Sequence, residues 1–161
     1  MVEPRITPQP ADGFAGHLTV TDAWELLRTD PEAVIVDVRT EGEWRTIGVP
    51  DVAQLGKTVG FAQWVTPQGP NPAFVDEVLA TGVRPGQPIV FLCRSGQRSI
   101  GASAALTAAG YGPAYNVLHG FEGDVGPDGR RGHTGWQAAG LPTTTWPSDA
   151  ATGATPDEAR A

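Results

Sequence analysis

The sulfur chemistry of this chain is confined to one loop, because Cys93 is the only cysteine. The apolar run Ile89–Leu92 has the composition of a buried strand and ends at that cysteine. After a loop with one glycine and two arginines, Ser99 opens a small-residue stretch, 100–109, that predicts a helix. A strand, loop and helix in this order direct several backbone N–H groups and the positive end of a helix dipole toward one point. We expect a sulfur held there to be the thiolate, which is the reactive form of cysteine.

The residues that follow Cys93 suit either anion binding or support of the loop. Arg94 and Arg98 form a local positive patch in a chain of net charge −7, and such a patch attracts anions. Each arginine could instead bond a carboxylate or loop carbonyls, so both interpretations stay open. Gly96 would let the backbone curl closely around the sulfur. The side chains that could donate hydrogen bonds to a bound sulfur species are Ser95, Gln97 and Ser99, although Ser99 is equally suited to cap the helix.

The elements that must position this loop alternate between strands and helices. Strands are predicted over 33–38, 58–65, 89–92 and 114–118. The first helix is predicted from Thr21 or Asp22 to about residue 30, with Asp22 and Glu25 as its capping box. Another is predicted to begin with Asn71 as N-cap and Pro72 as the first helical residue, and to end at Gly82. Further helices are predicted over 41–46 and 99–109, with a short helical turn over 135–140. This alternation predicts an α/β fold with a mostly parallel central sheet and helices on both faces. Ligands bind such sheets at the carboxyl ends of strands, where Cys93 and Asp37 both lie.

Composition indicates one globular domain with two tails. A chain of 161 residues fits a single domain. Residues 1–15 carry three prolines and few apolar residues, which predicts a flexible tail. Residues 147–161 are rich in Ala, Thr, Asp and Gly, which predicts a second flexible tail. The domain itself is therefore expected over 16–146.

Charge and residue usage exclude several classes of partner. The net charge of −7 argues against nucleic-acid binding, and no apolar run is long enough to span a membrane. The N-terminus lacks the apolar core of a secretory signal, and a single thiol fits a reducing compartment, so we expect a cytoplasmic protein. We expect no metal and no other cofactor, because the three histidines are far apart and no further cysteine accompanies them: His17, His119 and His133.

Three segments, taken in order, carry a resemblance to a known family. Residues 93–98 look like a six-residue active loop. An Asp-x-Arg element followed by a Glu-aromatic pair is matched by Val36-Asp37-Val38-Arg39 and then Glu43-Trp44. A helix end, a strand and a Gly-rich turn are matched by residues 108–111 and 117–121. Together, from about Leu18 to Trp146, the chain resembles a single-domain rhodanese, a sulfurtransferase module. It departs from the family pattern at 47–52, which lacks a histidine, and in the longer segments 56–72 and 123–135; these departures concern the pocket wall and the substrate.

The resemblance implies a two-step sulfur relay through a persulfide on Cys93. The partners would be a small-molecule donor such as thiosulfate and a thiophilic acceptor, either cyanide, a thiol or a protein thiol. The loop residues Arg94 to Ser99 would bind the substrate. Structural support is expected from Asp37, Arg39 and Glu43. Three aromatic side chains are expected in the core more than in the pocket wall: Trp44, Trp64 and Phe121.

Two other functions remain open at this point. Cysteine-loop phosphatases and arsenate reductases resemble this site, but their loop has five residues between Cys and Arg, and this chain has four. A regulatory or sulfur-carrier module could use the same fold, although modules of that kind often lose the cysteine that this chain keeps.

Overall fold

The central feature of the fold is a five-stranded parallel sheet. The computed structural model describes residues 6–147. Its elements, in chain order, are β1 (Gly16–Leu18), α1 (Val20–Thr29), β2 (Val34–Asp37), α2 (Glu41–Ile47), β3 (Val49–Pro50), a 3-10 turn (Ala53–Leu55), β4 (Val59–Phe61), β5 (Val65–Thr66), β6 (Gly69–Pro70), α3 (Phe74–Ala80), β7 (Ile89–Leu92), α4 (Arg98–Ala108), β8 (Ala114–Val117) and β9 (Thr143–Thr144). The strand order is β1-β8-β7-β2-β4, and every neighbouring pair is parallel.

The two faces of the sheet carry separate hydrophobic clusters. In β7, Val90 and Leu92 face the cluster that includes the buried side of α1. Ile89 and Phe91 face the opposite cluster, which includes α3 and α4. Alternate residues of one strand therefore bury opposite faces, as expected for a strand covered on both sides. The predicted α/β class, with helices on both faces of a parallel sheet, is confirmed.

Two predicted helix starts were wrong because other residues take the capping positions. The first helix begins at Val20, and the Thr19 hydroxyl accepts a hydrogen bond from the N–H of Asp22 at 3.1 Å. Asp22 is therefore inside the helix. The α3 helix begins at Phe74, because the Asn71 side chain accepts the N–H of Ala73 at 3.0 Å in a turn that precedes the helix.

Other predicted boundaries also differ from the structure. The strand predicted over 58–65 is divided into β4 and β5, and β5 pairs with β6 in a separate hairpin. The fourth helix begins at Arg98, one residue before the predicted start, and Gln97 at its N-cap makes no capping side-chain bond. The short turn predicted over 135–140 is present, with the N–H of Ala139 donating to the carbonyl of Gly135 at 2.9 Å.

Both ends of the described chain contact the domain. Gln9 pairs with His17 in an antiparallel bridge, and Ile6 packs against the α1 side of the core. At the other end, β9 pairs with β3, and the Trp146 ring packs on Trp44. The tail boundaries at 1–15 and 147–161 stay predictions, since 1–5 and 148–161 lie outside the described residues. Within 6–147, no helix has the length and apolar character needed to cross a membrane.

Candidate active site

Cys93 comes directly after β7 and is fully buried. Its Sγ accepts a hydrogen bond from the backbone N–H of Gly96 at 3.1 Å. The Ser99 Oγ, in the first turn of α4, lies 3.1 Å from the same sulfur. Among the described residues, one backbone N–H donates to the sulfur, where the sequence predicted several. The thiol is thus held between the loop backbone and the start of a helix.

The loop needs glycine at position 96. Gly96 has a φ of +93°, a conformation that side-chain-bearing residues rarely adopt. A Cβ there would also lie 3.0 Å from the backbone N of His119 and 3.2 Å from the carbonyl oxygen of Val117. The loop backbone therefore packs directly against the end of β8, which keeps the Gly96 N–H aimed at the sulfur.

A second turn, residues 120–123, supports the loop from the other side. The N–H of Phe121 donates to the carbonyl of Cys93 at 2.8 Å, and the N–H of Glu122 donates to the carbonyl of Arg94 at 2.9 Å. Gly120 has a φ of +60°, and a Cβ on it would lie 2.3 Å from the Cys93 carbonyl oxygen. Close backbone contact thus fixes the carbonyl groups of Cys93 and Arg94.

A buried polar chain leads away from the sulfur through two residues. The Ser99 hydroxyl donates to the Asn116 side-chain oxygen, and the Asn116 amide lies 2.9 Å from His17 Nδ1 and 3.2 Å from the Gly96 carbonyl oxygen. Ser99 is not an N-cap, because it lies inside α4. Sequence reasoning missed Asn116. Its signal was a polar residue in an otherwise apolar strand, opposite Phe91 of the cysteine strand in the sheet register.

The Arg98 guanidinium, whose charge also acts on Cys93, pairs with Glu43 of α2. The two guanidinium nitrogens donate to the two carboxylate oxygens at 2.8 and 3.0 Å. Burial alone would raise the pKa of Glu43. The hydrogen bonds that its carboxylate accepts from Arg98 and from the Thr40 N–H, together with the positive charge of Arg98, instead lower this pKa to about 2. Burial would lower the pKa of Arg98, while Glu43 raises it above its ordinary value. The pair therefore stays ionised and joins the loop to α2.

Asp37 and Arg39 form a second pair that is fully buried. Their shortest contact is 2.8 Å, and Arg39 also donates to the carbonyl of Gly48 at 2.7 Å. The guanidinium lies over the Phe121 ring, 4.2 Å from its centroid. This pair joins the end of β2, the residue after α2 and the turn that supports the cysteine loop.

An open cleft of about 570 Å³ lies beside the loop. Its lining residues come from the cysteine loop, from α2 and from the supporting turn: Arg94, Ser95, Gln97, Arg98, Glu43, Thr46, Ile47 and Glu122. The Arg94 side chain is exposed and makes no hydrogen bond or ion pair with any described residue. None of the three aromatic residues considered from the sequence lines this cleft. Trp44 and Phe121 are buried, and Trp64 packs edge-on against Phe74 in the core.

Comparisons with known proteins agree with this fold. The chain is 51% identical to Rv0390 of Mycobacterium tuberculosis, whose crystal structure superposes with a TM-score of 0.76 over 81% of this chain and 98% of that one. It is 35% identical to an uncharacterised protein of Rickettsia conorii, over 78% of this chain and 94% of that protein. The polysulfide-sulfur transferase of Wolinella succinogenes shares the fold, with 24% identity and a TM-score of 0.56 over 81% of this chain and 79% of that one.

The family match covers the part of the chain that builds the site. The family model described as "Rhodanese-like domain" matches residues 19–125, a range that includes both ion pairs, the cysteine loop and the supporting turn. With the parallel sheet and the thiol at the end of its central strand, this match places the chain in the rhodanese-like domain family.

Proposed function

We propose that this protein is a sulfurtransferase that moves a sulfane sulfur from thiosulfate or a similar donor to a thiophilic acceptor through a persulfide on Cys93. The observation that carries the proposal is the Cys93 sulfur at a strand end, with the Gly96 N–H donating to it at 3.1 Å. Membership of the rhodanese-like family supports the same reaction class.

The proposed reaction has two substitutions at sulfur. In the first, the Cys93 thiolate attacks the outer sulfur of thiosulfate, a new S–S bond forms, and the old S–S bond breaks with its electron pair leaving on sulfite. In the second, the acceptor attacks the outer sulfur of the persulfide, and the Cys93 thiolate leaves with its electron pair. Splitting one transfer into two steps is the advantage of covalent catalysis.

The loop would stabilise the negative charge that moves between the two sulfur atoms. The Gly96 N–H already reaches Sγ, and the positive end of α4 begins at Arg98, next to the loop. Fixed donors of this kind need no reorganisation as charge develops. Arg94, exposed in the cleft and unpaired among the described residues, would attract an anionic donor. Arg98 is a support for the loop in this proposal, since Glu43 occupies its guanidinium.

Mass spectrometry after incubation with thiosulfate tests this function. We expect one added sulfur atom, located on Cys93, and its loss when cyanide is added. Cys93→Ala should keep the fold and lose the transfer of sulfur from thiosulfate to cyanide. Retention of wild-type turnover by Cys93→Ala would overturn the assignment of the nucleophile.

The burial of Cys93 favours a second candidate, a regulatory or sulfur-carrier module. Because the thiol has no exposed surface, a donor in the cleft reaches it only when neighbouring side chains move. A protein donor that docks in the cleft could cause that movement. The two candidates differ in one measurement: the first predicts repeated turnover of thiosulfate by the isolated protein, and the second predicts at most a single loading.

A further inference from the structure

The orientation of the Asn116 side chain is fixed by its neighbours. The Gly96 carbonyl, which can only accept a hydrogen bond, lies 3.2 Å from the Asn116 Nδ2. The amide nitrogen must therefore face Gly96, and its second proton points at His17 Nδ1, 2.9 Å away. The Asn116 Oδ1 is left facing Ser99 and can only accept.

This orientation decides where the single hydroxyl proton of Ser99 goes. Asn116 Oδ1 needs a donor, and the Ser99 hydroxyl is the one described group that donates to it. The 3.1 Å contact between Ser99 Oγ and Cys93 Sγ must then be donated by the thiol S–H. The resulting chain runs from the Cys93 thiol to Ser99, and from Ser99 to Asn116.

Loss of the thiol proton disrupts this chain. A thiolate has no proton to give and is itself an acceptor, so the Ser99 hydroxyl turns from Asn116 to the sulfur. Asn116 is fully buried, and its Oδ1 then has no donor among the described residues. An unsatisfied buried acceptor is unfavourable, so the Ser99–Asn116 hydrogen bond opposes ionisation of Cys93, against the attraction that the Arg98 charge exerts on the same sulfur.

We propose that Asn116 is a positioning residue that holds the Ser99 proton away from the sulfur and so disfavours the free thiolate. A persulfide carries its charge on the outer sulfur, and its Sγ is a weak acceptor, so the Ser99 hydroxyl returns to Asn116. Asn116 therefore favours the sulfur-loaded enzyme over the empty thiolate. The consequence for sulfur loading rests on the proposed function, whereas the effect on ionisation does not.

The pH dependence of alkylation tests this proposal without any sulfur donor. Iodoacetamide reacts with the thiolate, forming an S–C bond and releasing iodide, and Cys93 is the one thiol that it can report. We expect Asn116→Leu, which frees the Ser99 hydroxyl for the sulfur, to move the midpoint of the rate profile about one pH unit lower. Ultraviolet absorbance of the thiolate gives the same midpoint should burial make alkylation slow.

A double-mutant cycle separates this role from a structural one. In a Ser99→Ala background there is no hydroxyl proton to redirect, so Asn116→Leu should leave the midpoint unchanged. The same shift in both backgrounds would overturn the proposal, because it would come from loosening of the loop at the Gly96 carbonyl, which does not depend on Ser99. No shift in either background would also overturn it. Ser103→Ala is the matched control, since the Ser103 hydroxyl donates to the Ser99 carbonyl at 2.8 Å and makes no hydrogen bond to the sulfur.

Two further measurements keep the outcome interpretable. Thermal unfolding reports whether Asn116→Leu is folded, and Asn116→Ala replaces it in the cycle if it is not. Thiosulfate loading followed by mass spectrometry is measured on the same samples. A shifted midpoint without loading would contradict the proposed function alone, and loading without a shifted midpoint would contradict the role of Asn116 alone.

Discussion

Arg98 and Glu43 face each other across the cleft wall through two hydrogen bonds, 2.8 and 3.0 Å long. Arg98 begins α4, and Glu43 belongs to the capping box of α2, in which its carboxylate accepts the N–H of Thr40 at 3.0 Å. One carboxylate therefore caps a helix and holds the end of the cysteine loop. Planar two-point pairing of this kind gives geometric specificity that a lysine could not provide.

The Glu43–Arg98 pair should make stability depend on pH. The pKa of Glu43 is about 2 in the folded protein and 4.5 without the fold, so its stabilising contribution is complete above about pH 5 and is lost as the pH falls toward 2. We expect Glu43→Gln to lower the unfolding free energy at pH 7 by on the order of 2 kcal/mol, and by much less at pH 2. Urea unfolding at both pH values measures this difference.

Glu41→Gln is the matched control for that experiment. Glu41 lies on the same helix and pairs with Arg45 at 3.4 Å, but both side chains are more than half exposed. An exposed pair contributes little, so the control should change stability by less than about 1 kcal/mol at either pH. Equal effects of the two substitutions would contradict the special role given to Glu43.

Gly120 should be among the least replaceable residues near the site. A Cβ at this position would lie 2.3 Å from the Cys93 carbonyl oxygen, and the φ of +60° is itself unfavourable for alanine. We expect Gly120→Ala to lower the unfolding free energy by about 2 kcal/mol or more. Gly56→Ala is the control, because Gly56 has a φ of +73° and nothing within 4 Å of the added Cβ. It should lose only about 1 kcal/mol in the same denaturant titration.

Arg94 is expected to bind the anionic donor, and Arg98 is not. We predict that Arg94→Ala raises the KM for thiosulfate about 2- to 5-fold, the size expected for one exposed charge, and leaves the KM for an uncharged sulfur donor nearly unchanged. Added salt should raise the KM of the wild-type protein for thiosulfate in the same direction. Arg84→Ala, which removes an exposed arginine paired with Glu32 elsewhere on the surface, should do neither. Equal losses for charged and uncharged donors would make Arg94 a structural residue.

The sequence was sufficient for the fold and for the position of the thiol because both depend on local signals. An apolar run, a glycine-containing loop and a small-residue helix are contiguous, so Cys93 could be placed at a strand end without tertiary information. The helix starts near Thr19 and Ala73 were harder to predict. Several polar residues lie near each helix start, and tertiary contacts decide which of them caps. Asp22, for example, accepts a hydrogen bond from the N–H of Thr7.

The contacts between distant segments could not be predicted from local patterns. The spacing of Arg94 and Arg98 shows two cations near the thiol, and their different roles depend on Glu43, which is 55 residues away from Arg98 in the chain. Asn116 is likewise 17 residues from Ser99 and meets it only because β8 lies beside β7 in the sheet. A polar residue within an apolar strand, such as Asn116 in β8, is the signal that could have indicated this contact.

The length of the cysteine loop should exclude phosphatase activity. The four residues between Cys93 and Arg98 are one fewer than in the phosphatase loops that this site resembles. The loop is also held on both sides, since the Gly96 N–H donates to the sulfur and the Gly96 carbonyl accepts from Asn116. A shorter loop encloses a smaller ring around Sγ, which suits one sulfur atom better than the three equatorial oxygens of a phosphoryl group. We therefore expect negligible hydrolysis of aryl phosphates in a standard chromogenic assay.

Insertion of one glycine between Ser95 and Gly96 tests whether loop length is the cause. The longer loop should lower sulfur transfer to cyanide, because the Gly96 N–H would no longer be held against Sγ, and it should widen the ring toward phosphate or arsenate. An insertion of one glycine after Gly86, in an exposed turn that precedes the start of β7, is the control for chain lengthening and should leave transfer unchanged. Rapid aryl-phosphate hydrolysis by the unmodified protein, abolished in Cys93→Ser, would replace the sulfurtransferase proposal with a phosphatase.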